Sequence, residues 1–321
     1  MSKKTIWMMA AALLIVVGCL ILGYAVAKTE GDFMNMSVSE YETHDFEIDG
    51  DYHDILVKTN IADVDFVLSD DGVTRVTCFE ESKMKHSVTV NDGKLVIEVV
   101  DTRKWYDHIK IFDFKTPKIT VSLPSGTYGA LSVETRTGDI HTSETLLFDK
   151  IDICLSTGDV KCRSSCRGSL MIETTTGDIE LNDISAETVA ISVSTGKLNA
   201  SRVDCERDVS IKVSTGDTYL KDVTCAGVMS KGSTGDLVMK NVIASEKFSL
   251  SRTAGDIHFE RCDAGEITVS VTTGDVKGTL LSEKNFIAKS NTGKVRVPEA
   301  EDGGKCKVTA TTGNIEIKIE D

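Results

Sequence analysis

The sequence predicts an all-β fold, a single-stranded parallel β-solenoid (β-helix) of about ten coils of 19–20 residues, with irregular capping coils at its N-terminal end and one transmembrane helix before them. Three observations predict it. Glycine recurs at this interval ten times from residue 138 onward, apolar residues occupy fixed columns around each glycine, and no proline occurs between Ser125 and Val297. Parallel ladders need every backbone amide, so a long proline-free stretch is typical of them.

The chain begins with an apolar segment. Residues 6–27 form a run of 22 without a charge, which as a helix would be about 33 Å long and would cross the hydrocarbon layer. Lys3 and Lys4 precede this anchor, so we expect residues 1–5 to be a cytoplasmic tail, 28–45 a linker and the C-terminal domain to lie outside a cell membrane crossed once. Two alternatives stay open, a signal peptide cleaved after Ala27 and a lipoprotein box ending at Cys19. All three export the same domain.

The chain is acidic. It carries 36 Lys and Arg against 50 Asp and Glu, a formal net charge of −14. Nucleic-acid binding needs clustered basic side chains that neutralise phosphates, and the sequence has no such cluster. We therefore expect no nucleic-acid partner and an anionic exported domain.

Residues 46–130 lack the repeat but show the alternation of strands, as in the segments 54–58, 87–90 and 94–99. The segment 60–64, Asn-Ile-Ala-Asp-Val, has the form of a degenerate corner. Terminal repeats must close the open end of a core and are usually atypical. We interpret this region as a cap of irregular coils continuous with the solenoid; a separate small β-sandwich is the alternative.

An insertion between Thr102 and Lys118 mixes aromatic and basic residues. Trp105 and Tyr106 mark it as a candidate ligand-binding loop, because exposed aromatic rings beside cations contact glycans, lipids or proteins. The alternative is that these aromatic side chains cover the end or flank of the rod.

The repeat is a Thr-Gly-Asp tripeptide. Thr precedes nine of the ten glycines and Asp follows seven. The glycines are Gly138, Gly158, Gly177, Gly196, Gly216, Gly235, Gly255, Gly274, Gly293 and Gly313. Nine of the ten residues two positions after the glycine are apolar, and apolar residues alternate before it, as in a strand buried on one face. A unit this short buries its apolar face only by stacking at about 4.8 Å, so residues 131–321 are predicted to be a regular solenoid.

The Asp residues of the repeat form a second predicted row. Glycine supplies the positive φ of a tight corner, and the adjacent carboxylate accepts hydrogen bonds from backbone amides. Stacked carboxylates also suggest calcium, but one carboxylate per coil, with Lys197 and Lys294 interrupting the row, offers fewer oxygens than calcium uses. We favour a structural turn over calcium binding for Asp139, Asp159, Asp178, Asp217, Asp236, Asp256 and Asp275, and expect no cofactor.

One coil departs from the pattern. Between Gly216 and Gly235, polar or small residues replace apolar ones at Thr218, Ser230 and Gly232, which we interpret as drift of one repeat. At the C-terminus, the strand 315–321 is expected to leave a sheet edge exposed. Copies of the chain could assemble through this edge, although the charged residues of the strand oppose open-ended stacking.

Eight of the nine cysteines lie outside the anchor. Cys205 and Cys225 each lie nine residues after a glycine of the repeat, so stacking places their Cα atoms about 5 Å apart, within disulfide range. We interpret the cysteines outside the anchor as small thiols buried in the core. The alternatives are one or more disulfides, with Cys205 and Cys225 as the candidate pair, and a metal site.

Residues from Lys118 to the first repeat carry a family resemblance. The strand 118–124, the residues Tyr128, Leu131 and Val133, and the first Thr-Gly-Asp-Ile run resemble the bacterial β-strand-repeat proteins of the "putative adhesin" family. The resemblance covers essentially everything after the anchor. It implies a β-solenoid on the cell surface and no established activity or catalytic residues.

No phosphate loop, nucleophile elbow or zinc-protease motif occurs in the sequence. We expect a non-enzymatic surface protein, a structural, adhesive or binding module whose partner is an unidentified envelope component or surface protein. The alternatives are a carbohydrate-active β-helix enzyme, which needs carboxylate, Arg and Lys side chains on neighbouring coils, and a self-assembling envelope-stress scaffold.

Overall fold

The computed structural model describes residues 3–28, 40–102, 115–300 and 302–320. These residues form one helix, α1 (Lys3–Lys28), and 25 β-strands. Most of the strands stack in parallel as a β-solenoid of about nine turns, against about ten predicted, so the predicted all-β solenoid is confirmed.

A helix is observed where the sequence predicts a membrane span over residues 6–27. In the described part of the chain, however, no helix has the length and apolarity that crossing a membrane requires. The membrane-spanning part of the prediction is therefore unsupported.

Each regular coil consists of two strands joined by a glycine corner. In one coil β13 (Ser169–Thr176) leads into Gly177 and β14 (Ile179–Ala186) follows it. The next coil stacks on it in register, because Leu170 pairs with Val189 and Ile179 with Leu198. We call the strands that lead into glycine corners sheet A and the strands that follow them sheet B.

The other regular strands follow the same scheme. Sheet A contains β8 (Thr127–Thr137), β10 (Leu147–Thr157), β15 (Thr188–Thr195) and β17 (Asp208–Thr215), with β12 (Ser165–Cys166) beside the start of β10. Sheet B contains β9 (Ile140–Thr142), β11 (Val160–Cys162) and β16 (Leu198–Cys205). Three long strands pass from sheet B into sheet A: β18 (Thr218–Thr234), β19 (Leu237–Ala254) and β20 (Ile257–Thr273).

The core lies between the two sheets. Alternate residues along each strand point inward and are buried, as in the pattern of Leu170, Ile172 and Thr174, and they form one continuous cluster. All ten predicted glycines have positive φ, between 119° and 153°. Stacking therefore superposes both the corners and the apolar columns, as the repeat predicts.

A second bend lies in sheet B, six residues after the glycine, and was not predicted. Five residues there adopt the left-handed conformation with φ between 51° and 58°: Asp183, Arg202, Asp222, Asn241 and Arg261. Asp and Asn tolerate this conformation better than other non-glycine residues, and three of the five are of these types. That column is the signal in the sequence that could have located the bend.

The N-terminal region continues both sheets. Its strands are β1 (Tyr41–Glu47), β2 (Asp54–Lys58), β3 (Asp63–Leu68), β4 (Arg75–Glu81), β5 (Met84–Asn91), β6 (Lys94–Asp101) and β7 (Lys118–Leu123). β2 and β3 form a coil that stacks on β8 and β9, with Ala62 where later coils have glycine. β6 and β7 stack on the far side of this coil, and antiparallel β5, β4 and β1 complete the end.

The C-terminal coils are out of sequence order. Their strands are β21 (Val276–Leu280), β22 (Lys284–Thr292), β23 (Val295–Arg296), β24 (Gly304–Thr312) and β25 (Ile315–Ile319). The last coil, β24–β25, lies between the coil of Gly274 and the coil of Gly293, since β24 pairs with both β20 and β22 and β25 pairs with both β21 and β23. The expectation that the final strand forms the exposed edge is wrong: β22 and β23 form it.

Candidate functional site

The Asp row has a structural role in every coil where it occurs. The Oδ1 atom of each carboxylate accepts a hydrogen bond from the backbone amide at the same position of the next coil, with N···O distances of 2.7–3.1 Å. The row comprises Asp139, Asp159, Asp178, Asp217, Asp236, Asp256 and Asp275, and Asp63 starts it by accepting from the amide of Asp139 at 2.8 Å. The carboxylates thus join neighbouring turns rather than closing their own. Calcium binding by the row stays an untested alternative.

Asp275 has the most extensive contacts in this row. Hydrogen bonding from Lys277, followed by the backbone amide of Asn314, lowers the pKa of its carboxyl below the usual 3.8. The Lys277 ammonium lies 2.6 Å from its Oδ2 atom. Cations therefore already occupy part of the space beside the row.

The departure in the coil after Gly216 is not drift. Arg252, in β19, is fully buried, and its Nη2 atom donates to the hydroxyls of Thr218 at 3.2 Å and Ser230 at 3.1 Å. A Cβ atom on Gly232 would lie 2.9 Å from the guanidinium carbon, so glycine makes room for it. The drift interpretation is corrected: the three unusual residues form a cradle for one buried cation.

An exposed groove of about 630 Å³ crosses the outer face of sheet A. It spans the four neighbouring strands β6, β2, β8 and β10, whose order in the sheet differs from their order in the chain. It is lined by Lys58, Thr59, Asn60, Glu98, Val99, Ser132, Val133, Glu134, Thr135, Arg136, Asp152, Cys154 and Ser156. Hydroxyl, amide, carboxylate and cationic groups therefore face one concave surface. We call this surface the sheet A groove.

Lys58 and Glu134 stand opposite each other in the sheet A groove, with Nζ and Oε2 3.9 Å apart. Cys154 contributes an exposed thiol, whose pKa is raised by partial burial and then by the neighbouring carboxylate of Glu173. The sequence did not predict this site. Two of its strands, β2 and β6, lie in the region without the repeat, and a third, β8, belongs to the first coil of the repeat.

A family comparison fits this architecture. The family model described as Toastrack DUF4097 matches residues 52–207 and again 204–321. The chain belongs to the Toastrack DUF4097 family. Together the matches cover the strands from β2 to β25 and confirm the resemblance stated from the sequence.

Two solved structures share the fold of this Toastrack chain. One, from Parabacteroides distasonis, is named a "putative lipid binding protein"; it is 15% identical, with a TM-score of 0.53, covering 88% of this chain and 98% of its own. The other, from Parabacteroides merdae, is named a "putative adhesin"; it is 11% identical, with a TM-score of 0.51, covering 75% of this chain and 97% of its own. None of the curated proteins matches the chain.

The remaining predicted residues of the Toastrack chain fall in two places. Trp105 and Tyr106 lie outside the described residues. Cys205 and Cys225 are buried on neighbouring coils as free thiols, and burial raises the pKa of Cys225 to about 12. Their oxidation to a disulfide stays a prediction.

Proposed function

We propose that this chain is a non-enzymatic binding module displayed at the bacterial cell envelope, and that the sheet A groove binds an uncharged or weakly basic polysaccharide of the envelope. The observation that carries the proposal is a ligand-sized polar groove on the outside of a solenoid whose inside is filled. Binding sites for small ligands usually have volumes of about 300–1,000 Å³.

The filled interior directs binding to the outer surface. The buried side chains between the sheets are at most 8% exposed, and they form one cluster from β2 to β25. An acyl chain therefore finds no room between the sheets in the part of the chain that the structure describes. The names of the two similar solved structures agree in describing binding rather than catalysis.

The charges of the groove favour the class of ligand. Lys58 and Arg136 stand against Glu98, Glu134 and Asp152, so the groove is close to neutral with a slight negative excess. The whole chain carries −14 charges, which repel phosphate-rich polymers and anionic lipid surfaces. Sugar hydroxyls, in contrast, are matched by the hydroxyl, amide and carboxylate groups of the lining.

The test is binding of the purified full-length chain to soluble peptidoglycan fragments, neutral envelope polysaccharide and teichoic acid, measured by calorimetry. We expect saturable binding to a neutral or weakly basic polymer, and at least about tenfold weaker binding by Glu134→Gln or Arg136→Ala. The matched control is Asp204→Asn in sheet B, which changes a carboxylate beside the second bend. Equal binding by all variants, or no binding to any polymer, would overturn the proposal.

Display outside the membrane is tested separately. Prolonged digestion of intact cells with a broad-specificity protease should degrade the solenoid, while a cytoplasmic protein in the same cells stays intact. Full protection of the solenoid in intact cells, with degradation after lysis, would contradict display.

A carbohydrate-active enzyme is the second candidate, because the groove brings Lys58, Glu134 and Arg136 together on neighbouring coils. Carboxylate and basic groups arranged in this way act as acid and base on polysaccharides. The same incubations, analysed for shortened or unsaturated products, separate the two functions. Product formation that is lost in Glu134→Gln would replace the binding proposal with catalysis.

A further inference from the structure

A cluster of metal-binding side chains is buried in the N-terminal cap, away from the sheet A groove. Cys78, Glu80 and His86 are all buried, and each offers one ligand atom within 4.8 Å of the others. They are 0%, 1% and 4% exposed. Carboxylate and imidazole groups are costly to bury, so their burial beside a thiol needs a physical reason.

The hairpin between β4 and β5 creates the cluster. Cys78 and Glu80 are two residues apart on β4 and therefore point to the same, inward face. The chain turns after Glu81, which pairs with Met84, and β5 then brings His86 inward from the opposite sheet. The three ligands come from nine consecutive residues held by one tight turn.

Neighbouring side chains orient these ligands. His86 directs Nδ1 toward Glu80 Oε2 at 2.8 Å, while its Nε2 atom lies 2.9 Å from the hydroxyl oxygen of Thr59. A hydrogen bond on the far nitrogen is the usual support of a metal-binding histidine. His44, which is partly exposed, places Nδ1 2.9 Å from the other oxygen of Glu80.

Cys78 differs from most of the other buried thiols. Those of Cys162, Cys166, Cys205, Cys225 and Cys262 donate hydrogen bonds to backbone carbonyls, and Cys306 lies in the apolar core. Cys78 instead lies beside a carboxylate and an imidazole. A hydrogen-bonded Glu–His pair accounts for two members of the cluster, and a metal ion accounts for all three.

We infer that Cys78, Glu80 and His86 form a Zn²⁺ site in the cap of the solenoid, with the fourth ligand position on the side of His44. Thiolate, imidazole and carboxylate are the protein ligands of zinc, at bond lengths of about 2.0–2.3 Å. Tetrahedral coordination at these lengths separates ligand atoms by about 3.3–3.8 Å. The Glu80–His86 contact must therefore open by less than about 1 Å, and the widest pair must close by no more than about 1.5 Å.

Binding is a substitution of protons by metal. The thiol of Cys78 loses its proton to solvent and donates a sulfur lone pair to Zn²⁺, and the Glu80 carboxylate exchanges its hydrogen bond from His86 Nδ1 for the metal. The imidazole changes to its other neutral tautomer: the proton on Nδ1 leaves to solvent and a proton from solvent binds Nε2. Nδ1 then coordinates Zn²⁺ through its lone pair, and Nε2–H donates a hydrogen bond to the hydroxyl oxygen of Thr59. No redox change is involved.

The experiment uses the full-length chain, stripped with a chelator and dialysed, with Zn²⁺ measured by competition against a chromogenic chelator. We expect about one tight site per chain, a rise in Tm with zinc, and near-ultraviolet thiolate-to-metal absorption when Co²⁺ replaces Zn²⁺. Cys78→Ser should lose the Co²⁺ absorption band. Thr59→Val, which keeps all three ligands, should weaken zinc binding about 10–100-fold.

The matched control is Cys306→Ser, because Cys306 is an equally buried core thiol, 0% exposed, that lies outside the cluster. It should bind zinc like the unmodified chain. The proposal is overturned if the unmodified chain binds no zinc, or if its Co²⁺ complex lacks thiolate absorption. Because the Co²⁺ spectrum is measured on the unmodified chain, misfolding of the Cys78 variant cannot decide the outcome.

Discussion

At the residue scale, Arg252 shows how a single side chain accounts for three departures from a repeat. Its guanidinium lies in the core, where desolvation lowers its pKa to about 10, still well above neutral pH. The hydrogen-bond acceptors around this cation are the hydroxyls of Thr218 and Ser230 and the backbone carbonyl of Ser251, and none of these three groups is a carboxylate. Burying a charge costs free energy of desolvation, which its hydrogen bonds offset, so removing one of its partners destabilises the folded chain.

We expect Arg252→Ala to destabilise the solenoid by about 2–4 kcal/mol, because it leaves a cavity and two unpaired hydroxyls. Arg252→Met keeps the long stem without the charge, so it should cost less. Chemical denaturation followed by circular dichroism measures both. An Arg252→Ala variant as stable as the unmodified chain would contradict the cradle.

Glycine at the corners is required by both conformation and space. At Gly196 φ is 145°, and a Cβ atom would lie 2.0 Å from the carbonyl oxygen of Gly177 in the preceding coil. Neighbouring backbone cannot move away without breaking the stack.

Gly196→Ala should therefore destabilise the chain by more than about 3 kcal/mol. The control is Gly126→Ala, where a Cβ atom meets nothing within 4 Å; its effect should stay below about 1 kcal/mol. Thermal unfolding of the two variants side by side is the measurement. Similar Tm values for both would show that the corner tolerates a side chain.

At the scale of the element, Asp275 makes the contact between two neighbouring coils depend on pH. Its carboxylate accepts a hydrogen bond from the backbone amide of Asn314 in the next coil, so protonation of Asp275 weakens this contact. The folded-state pKa of Asp275 is lowered, so its contribution is complete above the unfolded value of 3.8 and is lost as pH falls through the lower folded value.

Asp275→Asn keeps a side-chain oxygen that can accept the hydrogen bond from the backbone amide of the next coil. Asn314 already does this, since its Oδ1 atom accepts from the amide of Lys294 at 3.0 Å. The substitution removes the titratable carboxyl and its ion pair with Lys277. We expect the unmodified chain to be more stable than the variant at neutral pH, and this difference to shrink below about pH 4. Urea denaturation across pH measures it. A difference that is constant with pH would exclude this role of the carboxylate.

The sequence predicts the coil well and its ends poorly. Identical positions superpose on stacking, so the glycine interval alone locates ten corners and their buried columns. Gly293 and Gly313 follow the preceding glycine by 19 and 20 residues, both intervals of the regular repeat, so spacing does not reveal which coil is outermost. The usable signal is composition: Ala288 lies five residues before its glycine, in a column where eight of the other nine coils have Val, Ile or Leu, and a smaller residue there is expected of a terminal coil. The sheet A groove was not predictable, because it depends on β2 lying between β6 and β8.

At the scale of the whole molecule, the edge that limits self-assembly is β22–β23. Ile287 is 52% exposed and Val295 40% exposed on this coil, and its only strand partners in the described residues are β24 and β25. Any assembly of copies through the C-terminal end would therefore use this coil and not the last strand.

A chain ending at residue 303 lacks β24 and β25, so β22–β23 lose these partners, whereas a chain ending at 282 loses the whole terminal pair of coils. We expect limited proteolysis to cut the first chain between residues 284 and 296 and to leave the second intact from β8 to β20. Protection of residues 284–296 in the first chain would show that this coil docks directly on β20–β21.

The out-of-sequence order of the C-terminal coils also affects the order in which they can fold during synthesis. β22 and β23 leave the ribosome before β24 and β25, yet β24–β25 is the layer on which they rest. The growing chain therefore carries β22 and β23 without these partners until β24 and β25 emerge. Completion of these coils waits for the synthesis of β25, and a chain that stops before β24 leaves β22 and β23 without their strand partners.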